Sequence, residues 1–331
     1  MQVSILDQAP YSQGQTPQQA LENMRESVLL ADKLGYHRFW IAEHHNAELA
    51  SSAPEISMAH FAALTEKIRL GSGGTMMMHY SSYKMAEVFK TLSAYAPGRI
   101  DFGAGRAPGG DGRSILALSE GRNTMHQDLY GKLQDTLNFL EDKASDDPLY
   151  RHVRAQPEHV ELVQPWMLGS TGNSAARAGQ MGLGYAYVQF FNGTIDPEIF
   201  NIYRKNFKPS SFFQSPRVLV CYFVTVAETD EEAAYEALPA DIARMYLMTG
   251  RKYQRMSPAA AAGYPLSSAE KQYIEQNKSW HLRGSIQRVK EVLIQEKELN
   301  GFDELMICTI PFSQEFKLKE YKLIAKHIIE D

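Results

Sequence analysis

Short apolar runs alternate along this chain with segments whose apolar residues recur at helical spacing. Val3–Leu6 is the first such run. Thr16 then suits an N-cap and Pro17 a first helical turn. Ala20, Leu21, Met24, Val28 and Ala31 share one helical stripe, and Gly35 suits its end. Phe39–Ala42 is a second run, read as a buried strand. A helix through Ile56, Ala59, Ala63 and Leu64 leads to the strand Ile68–Gly71. Another, with Met85, Val88, Phe89 and Leu92 on one stripe, stops before Pro97-Gly98 and leads to Arg99–Phe102. Further strands are expected at Trp166–Leu168, Gly184–Phe191, Arg217–Val226 and Glu304–Ile310, with a helix over Ser174–Gln180.

Eight strands alternating with helices argue for a parallel sheet, and in a chain of 331 residues for one closed α/β domain over 1–331, a (β/α)8 TIM barrel. An open, doubly wound sheet is the alternative. Two stretches break the repeat. Residues 107–130, with Gly109, Gly110, Gly112 and Gly121, read as a long active-site loop. Residues 228–281, rich in Ala, Tyr, Gln and Ser, read as a helical insertion late in the barrel, between the seventh strand and the last βα unit.

Composition narrows the function. The chain is 44% hydrophobic, 22% charged and carries a net charge of −5, with Lys and Arg scattered, which argues against a nucleic-acid surface. Its two cysteines, Cys221 and Cys308, lie inside apolar runs, so a reducing compartment is expected and a disulfide framework is not. The N-terminus enters a strand directly without a leader pattern, and no run approaches the roughly 18 apolar residues of a membrane span. A cytoplasmic protein is expected.

Chemistry concentrates where strands end. The run Phe39–Ala42 stops at Glu43, His44, His45 and Asn46, at the carboxyl end of a strand, where barrels of this kind carry their active sites. Adjacent histidines on a strand point to opposite faces, and His60, His79 and His126 lack ligand-like spacing, so no catalytic metal is expected. Ser170-Thr-Gly-Asn-Ser174 lies between a strand and a helix; its hydroxyls and the unpaired N–H groups of a helix start suit a phosphate, although an ordinary N-cap has the same composition. Gly103–Gly109 has Pro108 where a dinucleotide loop needs its third glycine, so it fails as one. Arg106, just past a strand, is then either a phosphate partner or a solvated cation. Gly71-Ser-Gly-Gly74 marks a close backbone approach, and Met76–Met78 an apolar wall. Neither a G-x-S-x-G elbow nor a P-loop occurs.

Four pieces in this order resemble the luciferase-like monooxygenase family: Leu34–Asn46, Arg69–Gly74, Pro97–Gly109 and Trp166–Ser174. The resemblance runs from Val3 to Phe191 and again from Trp280 to Ile310. It implies an FMN-dependent enzyme in which reduced FMN, supplied by a separate flavin reductase, meets O2 and oxidises a small organic substrate. It implies a flavin ring against Ser72, Gly73 and Gly74, with a non-proline cis bond between the two glycines. It places the phosphate on Arg106, Ser170, Thr171, Gly172 and Ser174, makes His44 the catalytic histidine with Glu43 and His45 in support, and suggests a homodimer. A deazaflavin or FMN dehydrogenase of the same family, or a flavin-binding protein without catalysis, is the alternative. Gly105 stands where light-emitting relatives have a reactive cysteine, and Ser170 where they have an acidic residue. Light emission therefore does not follow, and the substrate is open.

Overall fold

In the computed structural model, residues 1–45, 49–106, 109–122, 128–145, 147–251 and 254–330 are described. The chain runs β1 (Val3–Asp7), α1 (Pro17–Lys33), β2 (Arg38–Ile41), α2 (Pro54–Ala62), β3 (Arg69–Ser72), β4 (Thr75–Met76), α3 (Ser82–Tyr95) and β5 (Ile100–Gly105). There follow α4 (Gly112–Leu118), α5 (Leu129–Leu140), β6 (Gln164–Gly169), α6 (Gly172–Gln180), β7 (Gly184–Val188), α7 (Gln189–Asn192), α8 (Pro197–Asn206) and β8 (Val218–Ala227). The last part comprises α9 (Asp230–Met248), α10 (Pro258–Ala262), α11 (Ser268–Gln276), β9 (Leu282–Ser285), α12 (Ile286–Asn300), β10 (Glu304–Cys308) and α13 (Gln314–Ile324).

Eight strands pair in parallel in the order β1, β2, β3, β5, β6, β7, β8 and β10, and β10 closes the ring on β1 through Val3 opposite Leu305. This is the closed (β/α)8 barrel, and the open sheet is excluded. β4 continues the line of β3 beyond Gly73-Gly74 and pairs with β5, while β9 pairs with the far end of β8 outside the ring. The insertion after β8 is helical, as expected, with α9 to α11 in it. No helix among the described residues is long and apolar enough to cross a membrane.

Two expectations are corrected. The segment 107–130 is more than a loop: Asp111 caps α4 by accepting from the backbone N–H groups of Arg113 and Ser114, and α5 starts at Leu129. Residues 107–108 and 123–127, His126 among them, lie outside the described residues, as does Asn46. The strand expected over Gly184–Phe191 stops at Val188; Gln189 opens the helical turn α7, which Gly193 ends with φ 77°.

Local chemistry explains why the elements start where they do. Thr16 and Gln19 form a reciprocal capping box on α1, with Pro17 in its first turn. Inside the ring, Trp40 and Trp166 meet edge to face at 5.8 Å. Glycines opposite make room for them: a Cβ on Gly71 would lie 2.5 Å from Trp40, and one on Gly184 2.4 Å from Trp166.

The amino-terminal end of the barrel is closed by a polar floor. The Arg38 Nε donates to both oxygens of Glu304, at 2.8 and 3.0 Å, and its Nη1 to Asp101 and Gln164, at 2.9 and 3.0 Å. Asp101 also accepts from Trp40 Nε1 at 2.9 Å and from Arg69 Nε and Nη2 at 2.9 and 2.7 Å. Burial by itself would raise the Asp101 carboxyl, but Arg38 and Arg69 outweigh it and hold it below the usual range.

Candidate active site

The opposite, carboxyl end of the barrel gathers most of the residues expected from sequence. β2 delivers Glu43 to a buried position, where its carboxylate collects three donors. Met76 donates its backbone N–H to Oε2 at 2.8 Å, Tyr80 its hydroxyl to Oε1 at 2.6 Å, and His45 Nε2 lies 3.0 Å from Oε1. The carboxylate thus ties β2 to the end of β4 and to the turn after it. Tyr80 was not expected at this site; it is 37 residues away in sequence and only the fold brings it there. Burial, then the bond to Glu43, pushes its phenol above the usual range.

His45 is fixed from both sides. Its N–H donates to the Gly109 carbonyl at 2.7 Å, and its own carbonyl accepts from the Ser114 hydroxyl at 3.2 Å. Gly109 needs φ 69°, and a Cβ there would come within 3.0 Å of the Glu43 carbonyl, so the α4 segment lies against this strand end only with glycine at that position.

His44 differs from its neighbour. Its backbone N–H donates to the Ser51 carbonyl at 2.8 Å, but its ring Nδ1 is buried without a hydrogen-bond partner among the described residues. Burial, helped by the neighbouring His45, lowers its pKa to about 4. The imidazole is therefore neutral at pH 7 and has a nitrogen to spare.

Next around the ring, the Gly73–Gly74 peptide is cis, as the family resemblance implies. Ser72 is fully buried. Its hydroxyl donates to the Gly103 carbonyl at 3.0 Å and accepts from the Gly103 N–H at 3.1 Å and from Thr75 at 3.0 Å. It holds β3 against β5 and has little left for a ligand. Gly103, Gly105, Gly73 and Gly74 leave this part of the wall without side chains, and a Cβ on Gly74 would sit 3.0 Å from the Gly103 carbonyl.

Arg106 follows β5 directly, exposed and without an ion-pair partner among the described residues. On the adjacent strand, β6 ends at Gly169, and Thr171 caps α6 by accepting from the Ser174 N–H at 3.3 Å. Ser174 completes the capping box by accepting from the Thr171 N–H at 3.3 Å, and its hydroxyl also donates to the Thr171 carbonyl at 2.8 Å, with Tyr185 OH 3.1 Å away. The N-terminal turn of α6 is open to solvent around Thr171 and Asn173. Ser170 offers its carbonyl to Asn192 at 3.3 Å. One strand end thus supplies a guanidinium without an ion-pair partner among the described residues, and its neighbour a solvent-exposed helix start.

Aromatic residues line the other arc of the mouth. Phe190 follows β7 and packs against Phe223 of β8 at 6.4 Å, and Phe223 stacks on His281 at 4.1 Å. The His281 ring is clamped between Asp241, 2.7 Å from Nδ1, and Thr225, 2.8 Å from Nε2. Burial, then the nearby Arg244, lowers its pKa to about 3. Cys221 and Cys308 are free, buried thiols in the same apolar cluster as Leu6, Trp40 and Phe223. A cavity of about 910 Å³ opens beside this arc, between α7, α9, β9 and α12, with Asp241 and His281 in its lining. Its lining includes none of Glu43, His44, Gly74 or Arg106, so we place the chemistry at the mouth, where His44 Nδ1 lacks a partner among the described residues.

Comparison with known proteins gives the family and agrees with the fold. The profile of the luciferase-like monooxygenase family matches residues 1–293. YceB of Bacillus subtilis is 38% identical over 325 residues, 98% of this chain and 98% of its own. The N-acetyl-S-alkylcysteine monooxygenase of Bacillus subtilis is 33% identical, covering 99% of this chain and 98% of the relative. The crystal structure of apo-MsnO8 superposes with a TM-score of 0.90 at 32% identity, over 99% of this chain and 98% of that one. The chain belongs to the luciferase-like monooxygenase family and is a flavin-dependent oxidoreductase.

Proposed function

We propose that the protein is an FMN-dependent monooxygenase that takes reduced flavin from a separate reductase and oxidises a small organic substrate with O2. The observation that carries this reading is His44: a neutral imidazole whose buried Nδ1 has no partner among the described residues, at the carboxyl end of a barrel strand and beside the side-chain-free wall of Gly73, Gly74, Gly103 and Gly105. An unpaired buried polar atom is costly unless something meets it. A wall of backbone without side chains suits a ring, and the Arg106 and α6 pair suits a phosphate. These residues fit FMN.

Bound reduced FMN would supply the electrons that activate O2. The chain's own part is positioning and proton handling. Arg106, the Ser170 to Ser174 turn and Gly172 fix the phosphate, and the glycine wall sets the plane of the ring. His44 Nδ1 holds or passes a proton next to the reacting end. Glu43, locked by Met76, Tyr80 and His45, keeps the β2 terminus, and with it His44, in one place. The apolar cluster below excludes water from the reaction. A homodimer is expected as in the family, with each mouth complete in one chain.

The test is oxygen consumption by purified protein with chemically reduced FMN, together with native mass spectrometry of any retained flavin. Binding of FMN with substrate-dependent oxygen uptake is the expected result. Transfer of hydride without oxygen uptake would establish the dehydrogenase reading, and tight flavin binding with no turnover a non-catalytic one.

A further inference from the structure

The insertion after β8 brings a cation to the mouth that the flavin reading leaves without a task. Arg244, in the last part of α9, lies with its guanidinium carbon 4.5 Å over the Trp280 ring and donates Nη2 to the Phe190 carbonyl at 2.5 Å. Its Nε is buried without a hydrogen-bond partner, and no carboxylate among the described residues pairs with it. Asp241, one turn earlier on α9, is already engaged by His281 and Arg283. The head group is near enough to act on the Cys308 thiol at the end of β10 and on His281, so it overlooks the β7, β8 and β10 side of the ring.

A second arginine reaches the same rim from the other side. Arg255, between α9 and α10, accepts at its carbonyl from the Gln13 N–H at 2.8 Å and donates Nη1 to Ser12 at 3.5 Å, and it too acts on Cys308. Ser12 in turn donates to the Phe312 carbonyl beyond β10. Two guanidinium groups therefore flank the Cys308 corner, above a floor of Phe190, Phe223, Leu6 and Cys221. Arg244, held partly out of water with no carboxylate partner among the described residues, is unfavourably placed, and the same position becomes favourable when an anion enters. The planar, bidentate head of arginine matches a carboxylate.

We infer that the substrate of this enzyme is a small molecule with an apolar body and a carboxylate: the body rests on Phe190, Phe223 and Trp280, and Arg244 holds the carboxylate at the rim. This sets the end of the substrate that stays fixed, so the oxidised atom is the one on the apolar part facing the flavin wall. The inference rests on the monooxygenase reading for its chemistry, but the anion site itself does not require flavin.

The decisive measurement is calorimetric titration of the full chain with acid and neutral pairs: benzoate and benzamide, phenylacetate and phenylacetamide, N-acetyl-S-benzylcysteine and its methyl ester. At least one acid should bind about tenfold or more tighter than its neutral partner. Arg244→Met should bring that preference to within about threefold, and Arg244→Lys should retain part of it. Thermal unfolding establishes that each variant is folded; should Arg244→Met unfold, the Arg244→Lys titration decides. Equal binding of acid and neutral partner by the native chain, or undiminished preference in the folded variants, overturns the assignment. Because no flavin is added, a failure here is distinct from a failure of oxygen uptake with reduced FMN.

Discussion

The two ends of the barrel both hold buried polar groups and treat them in opposite ways. At the floor, Arg38, Arg69, Asp101, Glu304 and Gln164 answer one another, and Asp101 serves three donor side chains at once. At the mouth, His44 Nδ1 and Arg244 Nε are buried with no partner among the described residues. A satisfied network stabilises a fold or specifies its register, whereas an unsatisfied one costs free energy that only a missing partner returns. The comparison teaches where to look for chemistry without knowing the reaction: the end of the barrel whose polar groups are incomplete.

The sharpest way to break this comparison is at the floor. Asp101→Ala should leave Arg38 and Arg69 without their shared carboxylate and cost about 3–5 kcal/mol in denaturant unfolding. A loss under about 1 kcal/mol would mean that the floor is not a cooperative network. His44→Ala probes the mouth and should do the reverse. Stability and FMN affinity should hold, while turnover in a reductase-coupled assay falls about 10²-fold or more; wild-type turnover would make the histidine structural. A smaller effect is expected at Arg106, where replacement by Ala should weaken FMN about tenfold with the melting temperature unchanged. An unchanged dissociation constant removes Arg106 from the phosphate.

The smallest effect is one of pH. His44 and His281 have pKa values lowered in the fold to about 4 and about 3, from 6.5. Below the unfolded value the unfolded chain binds more protons than the native one. The stability these buried neutral rings contribute is therefore complete above about pH 6.5 and is lost as pH falls towards 4. The urea midpoint should drop over that window, and His281→Gln should make the drop shallower. A midpoint independent of pH between 7 and 5 would contradict the buried, neutral state of both rings.

Much of the barrel was legible because all eight ring strands are short apolar runs. The boundaries were less so. Gly184–Phe191 is apolar throughout, and composition alone does not show that Gln189 turns into a helix once the strand has left the ring. α5, α8, α12 and α13 escaped notice, since their apolar residues are spread among charges and the tertiary surface selects which face is buried. At the site, residues on one strand end were found together: Glu43, His44 and His45 announce themselves as a cluster. Tyr80 and Arg244 did not, for each reaches the mouth from a different element, and no local pattern distinguishes them from other surface tyrosines and arginines. Ser72 gave a misleading signal, because a serine among glycines reads as ligand-facing when its hydroxyl in fact bridges β3 and β5.

Closure of the ring depends on β8 pairing directly with β10, from Glu304 opposite Leu219 to Cys308 opposite Phe223, and this pairing does not involve α9, α10 or α11. The insertion departs from the far end of one of these strands and returns through α12 to the start of the other. Its length enters the stability of the barrel only through the weak logarithmic cost of a longer loop. The cover over the aromatic arc is thus exchangeable in a way the strands are not. A lineage can trade it for another, and with it the shape and charge of what the mouth admits, while His44, the glycine wall and the floor stay as they are.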